Sequence, residues 1–223
     1  ADMFAAPVET KETQITRVEN NGHAMAPYMM SVALWVGCIA FSLMYPLTKY
    51  SGKLKSGLAW WGSKASVLYL IALLQAAVMI FMLHLCDGFE PVEMGKTLAV
   101  ACLASVAFMS VMYFFTNTFG KVGSFLMLIF MVIQLAGSVG TYPLELSGSF
   151  VPYLHDWVPF TYTVEAFRST IAGGESIRNA VIFLIVLWLV FTGLTILEFQ
   201  IRAVKIKKGK PILESWLEKK GLA

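Results

Sequence analysis

The 223 residues are 57% hydrophobic and 14% charged, with a mean hydropathy of +0.68 and a net charge of +3. Soluble domains hold about 45–50% apolar and about 25% charged residues, and at this length too much of a fold remains surface to hide the excess. An ordinary water-soluble domain is excluded, and the bilayer becomes the expected solvent.

Residues 1–25 are polar and carry no signal peptide. Five apolar segments follow, each near the ~20 residues that a helix needs to cross about 30 Å of hydrocarbon. They are 26–47, ended by Lys49; 66–85, between Lys64 and Asp87; 97–115; 122–139, between Lys121 and the turn-like Gly140-Thr141-Tyr142-Pro143; and 180–197, closed by Glu198 and Arg202. The fold class expected is an all-α, polytopic transmembrane helical bundle. Asn117 and Gly120 suit a tight turn, so the third and fourth segments read as a hairpin rather than one long helix. Cys38, Cys86 and Cys102 lie in or beside apolar stretches, with no metal-ligand spacing.

The connections differ in character. Residues 48–65 combine Lys53 and Lys55 with Trp60 and Trp61, which fits either a short amphipathic helix at the membrane surface or a basic loop with interfacial tryptophans. Residues 141–175 are aromatic-rich and broken by Pro143, Pro152 and Pro159. They are too interrupted to span and too apolar for a solvated loop, so 147–174 reads as short helices dipping into the outer leaflet, against protein or water. Pro159 opens the expected helix and Gly173-Gly174 ends it. The tail 203–223 is basic, suited to anionic lipid or to a cytoplasmic partner.

Lys/Arg bias orients the chain. The side holding 48–64, 116–121 and the tail has 12 of the 17 basic residues, whereas the other has 11 of the 14 acids. The basic side reads as cytoplasmic, in a plasma membrane, with residues 1–25 as an extracytoplasmic linker. A polar external N-terminus without a signal makes the chain read as the last part of a larger, six-helix protein.

Chemistry-bearing residues are sparse. Membrane-embedded ionisable groups are functional candidates, yet the spans hold little beyond His84 at one end; Gln134 reads as a helix–helix hydrogen bond. Without Asp/Glu/His chains, a proton- or sodium-coupled carrier is disfavoured. The pair His155-Asp156 makes no defined metal site, and no metal or cofactor is expected. Glu165 and Arg168, at i,i+3 spacing, read as a charge pair that either holds the broken segment or meets a substrate. Gly37, Gly137 and Gly140 permit close helix approach or a dimer face. No nucleotide-binding loop or hydrolase motif occurs, so no enzyme activity is expected.

Ala6-Pro7-Val8-Glu9, Asn20-Asn21-Gly22-His23-Ala24-Met25-Ala26-Pro27-Tyr28 and Leu34-Trp35-Val36-Gly37 resemble the C-terminal membrane region of the YhgE/Pip ("phage infection protein") family of Gram-positive bacteria. Val158-Pro159-Phe160-Thr161-Tyr162, with Glu165-Ala166-Phe167-Arg168 and Ala172-Gly173-Gly174, is also similar to type-2 ABC exporter permeases. The resemblance implies one earlier membrane helix, a large external domain, five further helices, short re-entrant helices before the last, a homodimer and a separate ATPase. Residues 48–65 would then hold the coupling segment. Two readings follow. One is a permease-like subunit that exports or handles an amphipathic or envelope substrate and serves phage as a receptor through its external domain. The other is a non-transporting anchor for that domain or for a secretion apparatus.

Overall fold

A computed structural model describes residues 21–47, 49, 56–138, 151–174 and 176–208. They form seven helices and, among the described residues, no strand: α1 Asn21–Met44, α2 Gly57–Asp87, α3 Met94–Phe119, α4 Lys121–Gly137, α5 Val151–His155, α6 Pro159–Ala172 and α7 Arg178–Lys207. The expected all-helical bundle is observed.

All five apolar segments are helical, but they are not equivalent. Among the described residues, four helices are long and apolar enough to cross a membrane: α1, α2, α3 and α7. Helix α4 has only 17 residues, or about 25 Å at 1.5 Å per residue, against about 30 Å of hydrocarbon. The hairpin before it is real. Gly120 breaks the chain between α3 and α4 with φ 61°, a left-handed value that glycine adopts without a Cβ penalty.

Helix α2 reaches beyond the apolar segment 66–85 at its N-terminal side. Helix α2 starts at Gly57, with Ser56 as its N-cap (Ser56 Oγ accepts from Ala59 N–H at 3.1 Å), and runs unbroken for 31 residues. Residues 57–65 are therefore the first turns of a long helix, continuous with the apolar segment. Lys53 and Lys55 lie outside the described residues. Capping explains the difference: a serine that satisfies an orphan N–H makes Gly57 a better start than a residue inside the apolar run.

Helix α3 is the axis, with α1, α2, α4, α6 and α7 packed against it. Its core carries Ala101, Ala104, Ala107, Phe108, Met109 and Met112, an alternation of small and bulky side chains that admits close neighbours. Trp35 of α1 sits edge-on to Phe108 at 4.9 Å and to Phe160 of α6 at 5.6 Å. These contacts place the start of α6 halfway down the bundle. Its far end meets the α2–α3 connection, where Val92 N–H and Glu93 N–H donate to the carbonyls of Ile171 and Thr170, both at 3.0 Å. Helix α6 thus climbs through half the depth of the bundle, with two of its last carbonyls satisfied by protein, as burial demands.

Polar side chains stitch the axis to its neighbours. Gln75 Nε2 donates to Ser105 Oγ at 2.6 Å and to the Leu34 carbonyl at 3.3 Å, while Ser105 Oγ donates to the Ala72 carbonyl at 2.7 Å. Tyr69 OH lies 3.0 Å from Ser110 Oγ and 2.9 Å from Thr192 Oγ1. Thr116 Oγ1 lies 2.9 Å from Ser124 Oγ. Gly37 is where α1 lets the Gln75 amide through: a Cβ there would overlap Gln75 Oε1. Gly37→Ala should cost about 1–2 kcal/mol through the loss of these amide hydrogen bonds, measured by equilibrium unfolding of the purified protein in micelles. Unchanged stability would show that the amide can swing aside without loss.

Candidate functional site

At one end of the bundle the start of α2, the last turns of α3 and the last turns of α7 converge. Gly57 is the hinge pin of this junction. A Cβ on it would lie 2.6 Å from the Phe199 carbonyl oxygen and 2.7 Å from Gln200 Cα, so α2 enters the bundle in direct backbone contact with α7. One turn later Trp60, 5% exposed, stands edge-on to the Phe199 ring at 4.7 Å. It is a buried packing group rather than an interfacial anchor. Trp61 is half-buried, and its carbonyl accepts Tyr113 OH at 3.4 Å.

A charged clasp lies beside these rings. Arg202, 3% exposed, donates from Nε to Glu198 Oε1 at 3.0 Å and from Nη2 to the same oxygen at 2.7 Å. Its Nη2 also donates to the Asn117 carbonyl, one of the carbonyls left open at the end of α3. Thr118 Oγ1 donates to Glu198 Oε2 at 2.6 Å. The i,i+4 spacing brings acid and base onto one face of α7, and the α3 terminus completes their coordination. On the flank, Lys64 Nζ donates to the Pro46 carbonyl at 2.8 Å and stands over the Tyr45 ring at 5.0 Å. The start of α2 is thereby tied to the end of α1 as well. Among the described residues the junction is a packed meeting of three helix ends, closed by the Arg202–Glu198 ion pair and its hydrogen bonds.

The other predicted residues are dispersed. Pro159 is buried at the first position of α6, and Gly173 and Gly174 follow its end with φ 78° and 143°. Glu165 and Arg168 are both exposed on α6. Gly137 is buried against Leu154 and Val158, whereas Gly140 lies outside the described residues. His84 closes the end of α2, with Nδ1 3.1 Å from the Phe89 carbonyl. His155 Nδ1 lies 2.9 Å from the Gly137 carbonyl, and no cluster fit to hold a metal occurs among the described residues.

The expectation for Gln134 is overturned. Its side chain is fully buried, yet neither amide atom has a hydrogen-bond partner among the described residues. The amide that does join helices is Gln75. Sequence reasoning passed over Gln75, Tyr69 and Thr192, and took Glu198 and Arg202 only as the end of a span. The i,i+4 spacing of the last two was the available signal. For the uncharged groups no local pattern distinguishes a bonded polar residue from an idle one.

Residues 3–197 match the family described as "ABC-2 family transporter protein". Over 173 residues the chain is 35% identical to "Uncharacterized protein YhgE" of Bacillus subtilis (strain 168), an alignment that covers 78% of this chain and 22% of that protein. The chain thus corresponds to about a fifth of the relative's length. No solved structure matches. With a helical bundle whose last span follows a broken helix, and a family match over most of its length, the chain belongs to the ABC-2 transporter family as a YhgE-like permease region.

Proposed function

We propose that this chain is the moving part of an exporter-type permease, driven at the end that carries Gly57 and Arg202 by a separate ATPase. The observation that supports this most is the junction itself. A push on the first turn of α2 meets the Phe199–Gln200 backbone directly and, through Trp60, the Phe199 ring. Arg202 and Glu198 then carry it to the end of α3. Helix α3 contacts α6, the half-depth helix at the opposite end. A continuous packed path from the driven end to the broken helix is what coupling requires, because packed elements shift as units.

The driven end is cytoplasmic in this reading. Lys49, Lys64, Lys121, Arg202, Lys205, Lys207 and Lys208 belong to the helix ends gathered there, whereas Asp87, Glu90 and Glu93 lie at the other. That distribution follows the positive-inside rule, with residues 1–25 outside and the basic tail inside the plasma membrane of a Gram-positive cell. The cargo is an amphipathic or envelope component, and two copies work together. This reading assigns phage recognition to external regions of the protein. A scaffold without transport would have no use for a buried path between the two ends.

Two experiments test the reading. A membrane-impermeant maleimide should label native Cys86, which is exposed at the end of α2, in intact cells. It should label Ser56→Cys only after permeabilisation, and the reverse pattern would invert the topology. The full-length protein pulled from membranes should bring an ATPase with it. If none copurifies and transport of no amphiphile depends on the protein, the permease reading falls.

A further inference from the structure

We infer that the groove between the last turns of α2 and the first turns of α3 is a binding site for the hydrocarbon tail of an amphiphile whose head group lies beside His84. The groove has a volume of about 520 Å³, within the range of about 300–1,000 Å³ usual for small-molecule sites. Helix α2 contributes Ala77, Val78, Phe81 and His84 to its lining, and α3 contributes Met94 and Leu98. It therefore follows the end of one apolar segment and the start of the next, where hydrocarbon surrounds the chain. Ala77, Val78, Phe81 and Leu98 are all exposed.

Its dimensions decide between occupants. From Ala77 to His84 the groove follows about 10 Å of the α2 axis. Spread over that length, 520 Å³ gives a cross-section of about 50 Å², or about 8 Å across. A helix with its side chains is about 10–12 Å thick, so a helix of a second copy would touch only the rim. A hydrocarbon chain is slender enough to enter. Residues 1–20 of the chain carry six charged side chains, a composition at odds with walls whose one polar member is His84.

The two ends of the groove differ as the two ends of an amphiphile do. Ala77 lies well inside an apolar run, whereas His84 stands one turn before Asp87, the last residue of α2. The Lys96–Glu93 ion pair, at 2.7 Å, belongs to the same end. His84 Nδ1 lies 3.1 Å from the Phe89 carbonyl, which can only accept. That contact engages Nδ1 and leaves Nε2 for a head group. In a bilayer no hydrophobic force drives a tail onto protein, because lipid is as apolar as the side chains. What favours the groove is dispersion: its walls meet a tail on both flanks, where a convex helix face meets it on one. The inference needs only a bilayer around α2 and α3, and it goes beyond the permease reading without depending on an ATPase.

The test places the full-length protein in phosphatidylglycerol vesicles that contain a trace of phosphatidylglycerol with a diazirine in one acyl chain. After illumination, peptide mass spectrometry locates the attached lipid. Labelling of Val78, Phe81 and Leu98 should exceed by at least threefold that of Val186, Leu189 and Val190 on α7, which are similarly exposed. Ala77→Trp, which fills the groove from an exposed position, should bring labelling of Phe81 and Leu98 down to the α7 level, and Leu189→Trp should not. If Ala77→Trp does not fold, Leu98→Trp, read at Phe81, decides. Equal labelling of the groove and of α7 would overturn the inference, leaving ordinary lipid contact. A groove that takes no label would overturn it too; disulfide cross-linking of Phe81→Cys between copies would then identify a second copy as the cover. Either result in a protein that still brings an ATPase from membranes would leave the permease reading standing.

Discussion

Arg202→Leu should lower the unfolding free energy by about 3–5 kcal/mol, the usual cost of removing one member of a buried ion pair. The guanidinium holds Glu198 through two hydrogen bonds, at 3.0 and 2.7 Å, and closes the Asn117 carbonyl at the end of α3. Its loss strands a carboxylate whose side chain is only 17% exposed and opens a helix terminus in apolar surroundings. Replacing both partners should be milder: Glu198→Gln with Arg202→Met should recover most of the stability, since an uncharged pair of similar volume needs no counter-charge. Chemical unfolding of the purified protein in micelles measures both. A single variant as stable as the wild type, or a double variant no better than the single, would show that the clasp contributes packing rather than charge. Transport should fall with the single variant beyond what stability explains, because this clasp joins α7 to α3.

How much of this was legible in the sequence depends on the kind of signal. Apolar length is a property of each segment alone, so the helices at 26–47, 66–85, 97–115, 122–139 and 180–197 could be placed in order. The glycine-marked turn at 120 and the proline-opened helix at 159 were likewise local. Boundaries were less legible where charged or aromatic residues continue a helix past the apolar run. Helix α7 extends to Lys207 and α2 begins at Gly57, each several residues beyond the apolar core, because helix continuation depends on caps and neighbours and not on hydropathy. Trp60 shows the limit most clearly. Beside lysines it reads as an interfacial anchor, yet Phe199, 139 positions later, buries it. Gln75 and Gln134 are the same residue type in similar apolar runs. One makes three hydrogen bonds across helices and the other has no side-chain hydrogen-bond partner among the described residues, a difference set by which neighbours tertiary packing delivers.

Gly57→Val should be the most damaging single change on α2, at about 3 kcal/mol or more, at the upper end of the cost of overpacking. The argument lies in what the new side chain would meet. At Gly37 the obstacle is the end of a Gln75 side chain, which can rotate away and forfeit its hydrogen bonds. At Gly57 the obstacles are the Phe199 carbonyl oxygen at 2.6 Å, Gln200 Cα at 2.7 Å and Gln200 N at 2.8 Å. Backbone inside an α-helix cannot move aside without breaking the ladder, so α2 and α7 must separate. Separation would uncover Trp60 and loosen the Tyr113–Trp61 contact. Gly62, five residues on, has nothing within 4 Å of its Cβ position. Gly62→Ala should therefore stabilise by about 0.5–1 kcal/mol through the helix preference for alanine, which separates steric conflict from any general effect of filling a glycine in this turn. Unfolding in micelles ranks the three glycines. An order in which Gly57→Val is tolerated as well as Gly62→Ala would mean that α2 and α7 do not meet by backbone at this end. The direct route from the start of α2 to α7 would then be lost, and with it the strongest physical support for a driven junction.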